Sequence, residues 1–303
     1  MVAIQIVSDL HLESPMAYDI FDIPPKAPYL ALLGDIGYAS HPQHREAYLG
    51  FLRRQLSKFR VVFLVLGNHE PWHGSWEASR ETMRQFAEVV RRERNGINNR
   101  SRNDDDDDDD DDRNSEGGRL GKFVFLDRTR YDVNSSSESP GEGEDGNHSL
   151  TILGCTLFSR VPAAAAEAVS FGVNNFYHID GWTVEQHDAR FRGDVEWLNE
   201  QVAALDAAGR RKNVVVLTHY SPTLDQRAVD PRHRDSPIQA GFASDLSGEP
   251  CWSSGSVKVW AFGHTHFNCD FVDEETGKRV VANQRGYYFG QSGGFVPDKI
   301  VEI

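Results

Sequence analysis

Five short motifs rich in Asp, Asn and His each follow directly on an apolar run. Residues 2–7 lead into Ser8, Asp9, Leu10 and His11; residues 29–33 into Gly34 and Asp35; residues 61–66 into Gly67, Asn68, His69 and Glu70. Further on, residues 214–217 lead into Thr218 and His219, and residues 257–262 into Gly263, His264, Thr265 and His266. Together they offer two carboxylates, one amide oxygen and four imidazoles as metal donors, with a further imidazole beside the Asn. Mixed imidazole and oxygen donors without a thiolate suit first-row metals such as Mn, Fe or Zn better than Ca or Mg alone. The set exceeds what one ion needs. Two ions about 3.5 to 4 Å apart, bridged by a carboxylate, are the arrangement used for in-line displacement at phosphorus.

Such residues converge only if the elements before them end at one place. The apolar runs 2–7, 29–33, 61–66, 123–126, 150–153, 214–217 and 257–262 are short, rich in Val, Ile, Leu and Phe, and read as buried strands. Between them, residues 44–59, 75–94 and 183–208 place apolar side chains three and four apart among charges, the last after Thr183, which suits a helix cap. Alternating strands and helices predict an α/β domain. In open α/β sheets the crevice outside the carboxyl ends of the strands is where ligands bind, so five such ends can share one pocket. Gly34, Gly67 and Gly263 are expected to allow the sharp turns that aim the next side chain inward.

With these motifs in this order, the chain resembles the calcineurin-like metallophosphoesterases: SDLH, GD, GNHE, TH and GHTH are similar to their five signature blocks, from Asp9 to His266. The resemblance implies two packed mixed β-sheets flanked by helices, a four-layer sandwich with a dimetal centre at the strand ends. It implies that Asp9, His11 and His266 hold a first metal, that Asn68, His219 and His264 hold a second, and that Asp35 bridges them. His69 is implied to donate a proton or stabilise charge near the leaving group rather than to bind metal. A water or hydroxide shared by the ions would be the nucleophile. One departure narrows the substrate. Protein Ser/Thr phosphatases of this kind carry Asp-Arg-Gly soon after their GD, whereas here Asp35 runs into Ile36, Gly37, Tyr38 and Ala39. Without that Arg, a small-molecule or diester substrate is expected, making the chain a metal-dependent hydrolase of phosphate esters.

Composition bears on the partner. The 303 residues suit a single domain, and no apolar run approaches the roughly 18 residues of a membrane span. The formal charge is 32 minus 46, or -14, of which nine negatives are the run Asp104 to Asp112, leaving about -5 elsewhere. A mildly acidic chain without a basic stripe does not gain affinity by neutralising a nucleic-acid backbone, which counts against the alternative of a nuclease. The other alternative, a non-catalytic metal-binding scaffold, meets a complete ligand set. The partner is therefore expected to be a small phosphate ester, with no nucleic acid and no membrane. Cys155, Cys251 and Cys269 are odd in number and lack CxxC spacing, which suggests a reducing compartment. No leader could be removed ahead of Asp9 without destroying the site, so the cytoplasm is expected, with the nucleus second. Residues 95–121, which include the Asp run, and residues 134–147, rich in Ser, Gly, Glu and Asp, read as flexible insertions.

Several residues outside the blocks remain. His41, His44, His73, His148, His178, His187 and His233 match none of them and read as surface or packing residues. Glu70 reads either as a carboxylate orienting an imidazole or as a helix N-terminal charge. Arg285, in the segment 283–287, is the candidate for substrate contact through its planar guanidinium, against an ordinary surface turn. Trp72, Trp76 and Phe176 either wall the pocket or belong to the core.

Overall fold

In the computed structural model, which describes residues 2–100, 120–133, 149–208 and 212–303, the chain begins with β1 (Ala3–Val7), β2 (Tyr29–Leu32), α1 (Pro42–Leu56), β3 (Val61–Leu64), α2 (Trp76–Arg100), β4 (Lys122–Phe125), β5 (Thr129–Val133) and β6 (Ser149–Cys155). It continues through α3 (Ala166–Gly172), α4 (Asn175–His178), α5 (Val184–Ala207), β7 (Lys212–Thr218), α6 (Pro250–Ser253), β8 (Val257–Phe262), β9 (Cys269–Val272), β10 (Arg279–Ala282), β11 (Gly286–Tyr287), β12 (Gly290–Gln291) and β13 (Ile300–Glu302).

Alternate residues of the strands belong to different apolar layers, and that alternation builds the sandwich. Ile4 and Ile6 of β1 and Tyr29 and Ala31 of β2 join one layer; Val7 of β1 and Leu30 and Leu32 of β2 join another. The first layer draws residues from both large sheets and none from the long helices, so the sheets pack face to face across it. The second contains Tyr48, Phe51 and Leu52 of α1, Met83 and Phe86 of α2, and Leu198 and Val202 of α5, so the long helices cover the outer faces. Strands buried on both faces read as near-continuous apolar runs, which is why the sequence displays them.

One sheet has the order β13-β1-β2-β3-β4, parallel except for the antiparallel edge pair β1 and β13. The other has the order β5-β6-β7-β8-β10-β9, parallel in the middle and antiparallel at both edges. These are the two mixed sheets flanked by helices that the resemblance implies. α5 starts as expected at Thr183, whose side chain accepts from Gln186 N–H while the Gln186 side chain accepts from Thr183 N–H. The expected flexible segment 95–121 needs correction at its start, because α2 continues to Arg100. Residues 101–119, and the whole of the second expected insertion, lie outside the described residues. Among the described residues, no helix is long and apolar enough to cross a membrane.

Candidate metal centre and active site

The parallel neighbours β1, β2 and β3 end beside one another in the first sheet, as β7 and β8 do in the second, and the loops after all five are stitched together. Asp9 N–H donates to Gly34 O at 3.0 Å and His11 N–H to Asp35 O at 3.0 Å, tying the first two loops. Across the sheets, the Asp9 carboxylate accepts His264 N–H at 3.1 and 3.0 Å. Asp35 Oδ1 accepts His69 N–H at 2.7 Å. The backbone is strained here: Asp9, His11, Asp35, His264 and His266 have φ of 52, 48, 52, 71 and 51°. A non-glycine residue in this left-handed region costs of order 1–3 kcal/mol, and such residues cluster at functional sites.

The glycines serve in two ways. Gly34, at φ +89°, needs the freedom expected of it. Gly67 and Gly263 do not have positive φ; they are there for space. A Cβ on Gly67 would sit 2.2 Å from Asp35 Oδ1, and one on Gly263 2.2 Å from Ser8 Oγ.

The hydrogen bonds fix which atoms are left to bind a ligand. Trp72 Nε1–H can only donate, and it points at Asn175 Oδ1 at 3.4 Å. That oxygen also accepts from Asn68 Nδ2 at 2.9 Å, so Asn68 turns its Oδ1 the other way, to 2.9 Å from His219 Nε2. His219 Nδ1 donates to Leu33 O at 2.8 Å, which leaves Nε2 a bare lone pair. Two acceptors thus face each other at contact distance, the geometry of two ligands of one cation. His264 Nε2 lies close by, buried, with no hydrogen-bond partner among the described residues. On the other side, His11 Nδ1 donates to Glu13 Oε1 at 3.1 Å, leaving Nε2 2.9 Å from His266 Nε2, which is 3.3 Å from Asp9 Oδ1. Among the described residues, three groups have donor atoms close enough to hold an ion: Asp9 with His11 and His266, Asp35 with His219 and His264, and His11 with Glu13 and His69, where Glu13 already accepts from both rings.

The electrostatics agree with a cation site. Asp9, Glu13, Asp35 and Glu70 are all buried, and none forms an ion pair with Lys or Arg among the described residues. Burial and the charges of Asp9 and Glu70 push Asp35 well above the usual carboxylate range. Burial also penalises the Asp9 charge, but the hydrogen bond from His266 and the nearby His219 and His11 rings hold its pKa well below that range. Burial pulls His11 and His219 down to about 4, and pulls His264 well below its ordinary value. Neutral imidazoles with free lone pairs beside buried carboxylates fit first-row metal ions.

All eight motif residues are thus brought together, with Asp35 in the middle: its carboxylate lies 4.0, 3.9 and 3.5 Å from the Nε2 atoms of His11, His69 and His219. Arg285 is not brought into the cleft they face. Its guanidinium donates to Leu10 O at 2.8 Å and lies over the Phe21 ring, so the expected substrate contact gives way to a structural role. Tyr287 of the same segment faces the site instead, its hydroxyl 3.4 Å from His69 Nε2. Glu70 takes neither expected role, since it accepts the N–H groups of Asp35, Ile36 and Gly67 and so clamps the loops after β2 and β3. Burial raises its pKa to about 7. Trp72 walls the cleft; Trp76 and Phe176 pack elsewhere, against Phe158 and His187. Of the seven remaining histidines, His233 lines the cleft, His187 is buried and His148 lies outside the described residues.

Sequence reasoning missed Glu13. One oxygen, Oε1, accepts from Nδ1 of His11 at 3.1 Å and from Nδ1 of His69 at 2.8 Å. Its only signal was an acid two positions after His11.

A double-sheet sandwich that gathers Asp, Asn and His at adjoining strand ends defines a metallophosphoesterase architecture. The family model described as calcineurin-like phosphoesterase matches residues 3–268, so the chain belongs to that family and, with it, to the hydrolases. The phosphopantetheinyl hydrolase of Mycobacterium tuberculosis shares the fold, with a TM-score of 0.57 at 15% identity over 94% of this chain and 89% of its own. A dimetal phosphatase from Danio rerio aligns with a TM-score of 0.45 at 15% identity over 93% of this chain and 87% of its own. No curated protein sequence matches the chain significantly.

Proposed function

We propose that the protein hydrolyses small phosphate esters with two metal ions, one held by Asp9, His11 and His266, the other by Asn68, His219 and His264, with Asp35 between them. The observation that carries this reading is the meeting of Asn68 Oδ1 and His219 Nε2 at 2.9 Å, two lone-pair atoms whose other hydrogen bonds turn them towards each other as ligands of one cation would be. When bound, two such ions lower the pKa of water and offset the charge on phosphate oxygens. The donor set favours Mn, Fe or Zn.

His69 takes the part of acid. Burial lowers its pKa, which makes it a readier proton donor, while Glu13, bonded to its Nδ1 at 2.8 Å, works the other way and supports the imidazolium; its Nε2 is open to the cleft beside Tyr287. Trp72 stacks on its ring at 3.7 Å between centroids, which holds the ring in place and excludes water from one face. A proton at Nε2 passes to the leaving oxygen or bonds a phosphate oxygen. A nuclease reading finds little support, since the residues lining the cleft include no Lys or Arg for a nucleic-acid backbone.

The test is hydrolysis of para-nitrophenyl phosphate and of its bis ester by purified protein with Mn, Zn, Mg or chelator. Metal-dependent turnover is expected, and the preferred ester tells monoesterase from diesterase. His69→Ala should keep its metals and lose about 10²–10⁴-fold in rate. Two bound metals with no turnover of any ester would instead favour a scaffold.

A further inference from the structure

The cleft beside the proposed metal pair has aromatic and aliphatic side chains on its walls, with neutral polar ones such as Asn174, Ser236 and Gln239 between them. On one side Trp72 lies nearly flat on His69; on the other Phe242 stacks on His264, with ring centroids 4.9 Å apart. Val173, Val229 and Ile238 extend the apolar lining, and the cleft volume is about 320 Å³, at the small end for ligand pockets. Among its lining residues there is no Lys or Arg: the one basic side chain besides the proposed site histidines is His233, and the acids are Asp35 and Asp230. Arg232, at the adjoining depression, is already paired with Asp230 at 2.6 Å.

We propose that this cleft receives the alcohol portion of the ester, and that it selects an uncharged, apolar alcohol, aryl or alkyl, over one bearing a further phosphate or carboxylate. The inference rests on the two-metal reading above. With the phosphoryl group at the metal ligands, the rest of the substrate extends over Trp72, Phe242 and Ile238. A ring or alkyl chain there removes apolar surface from water on both sides. A second anion would lose its hydration with no Lys or Arg on the lining to replace it, and the guanidinium of the adjoining depression, Arg232, is already taken up by Asp230. Asn175 cannot compensate, because its side chain is committed to Asn68, Trp72 and Tyr220.

Calorimetry on the full-length, Mn-loaded protein tests this with methylphosphonate, benzylphosphonate and 4-carboxybenzylphosphonate, which resist hydrolysis and so report binding alone. Benzylphosphonate should bind at least roughly tenfold tighter than methylphosphonate, and the added carboxylate should abolish that gain. In Ile238→Lys, a cation on the apolar wall, the affinity ratio of carboxybenzyl to benzyl compound should rise. Equal affinity for methyl and benzyl compounds, or tightest binding of the carboxylate by the unaltered protein, overturns the proposal. Should the Lys variant fail to fold by circular dichroism, the ranking on unaltered protein decides. If even methylphosphonate fails to bind the metal-loaded protein, the two-metal reading itself falls, an outcome distinct from binding without preference.

Discussion

Glu13 holds two imidazoles with one oxygen, one belonging to the proposed metal ligand His11 and the other to the proposed acid His69. Removing its charge should disturb both. Glu13→Gln is expected to slow turnover about 10- to 100-fold, the usual cost of losing a partner that orients a ligand, and Glu13→Ala should also lower metal content. Steady-state kinetics with metal analysis of each variant checks this; wild-type rates in Glu13→Gln would sink it. Gly34→Ala brings two penalties at once, a φ of +89° and a Cβ only 2.5 Å from Gly67 N and His219 Nδ1. A loss of roughly 2–4 kcal/mol in denaturant unfolding is expected, with reduced metal binding. At this scale the sequence was legible where polar residues interrupt an apolar run, and all eight motif residues met. Glu13 was not legible because its meeting with His69 spans 56 positions and follows from folding alone. Arg285 misled because a planar cation suits phosphate and Leu10 O equally well.

Among the elements, α5 offers a control that contributes no residue to the cleft. Thr183→Ala removes one side of a reciprocal cap and should cost about 1 kcal/mol without changing kcat, read from urea unfolding and steady-state rates. An altered kcat would mean that α5 reaches the site in some way its packing does not reveal. All seven strands expected from apolar runs formed, since each is buried on both faces. β5 and β9 escaped notice because edge strands are half solvated: Thr129–Val133 mixes Arg and Asp, and Cys269–Val272 an Asp, with apolar residues, and both leave alternate positions exposed. The walls of the cleft escaped for a different reason. Val173, Ile238 and Phe242 sit in short turns after α3 and α6's preceding loop, where no period marks them as facing the same space.

On the scale of the molecule, each proposed ion would take ligands from both sheets: Asp9 and His11 from the first with His266 from the second, and Asn68 from the first with His219 and His264 from the second. Metal bound in this way would stabilise the sandwich as well as the reaction. Chelation should lower Tm, and returning Mn at about 100 times its Kd should restore roughly 2.7 kcal/mol per site; a Tm indifferent to metal would contradict ligands drawn from both sheets. Acid should act through His187, which accepts Ser159 N–H at 3.0 Å and which burial pulls down to about 3. Between that value and the ordinary 6.5, the unfolded chain binds a proton that the folded chain does not. Its contribution is thus complete above about pH 6.5 and shrinks as pH falls, by a few kcal/mol across the window. The stability gap between wild type and His187→Gln, followed by denaturant titration from about pH 7 to pH 4, should narrow accordingly. The pairing of β1 with β13 has a consequence for synthesis. Ala3 lies opposite Glu302, so the strand that leads into Asp9 and His11 lacks one neighbour until Ile300–Glu302 has been made. The first sheet therefore cannot close as its opening strands emerge from the ribosome, and its assembly waits on a long-range contact and is correspondingly slow.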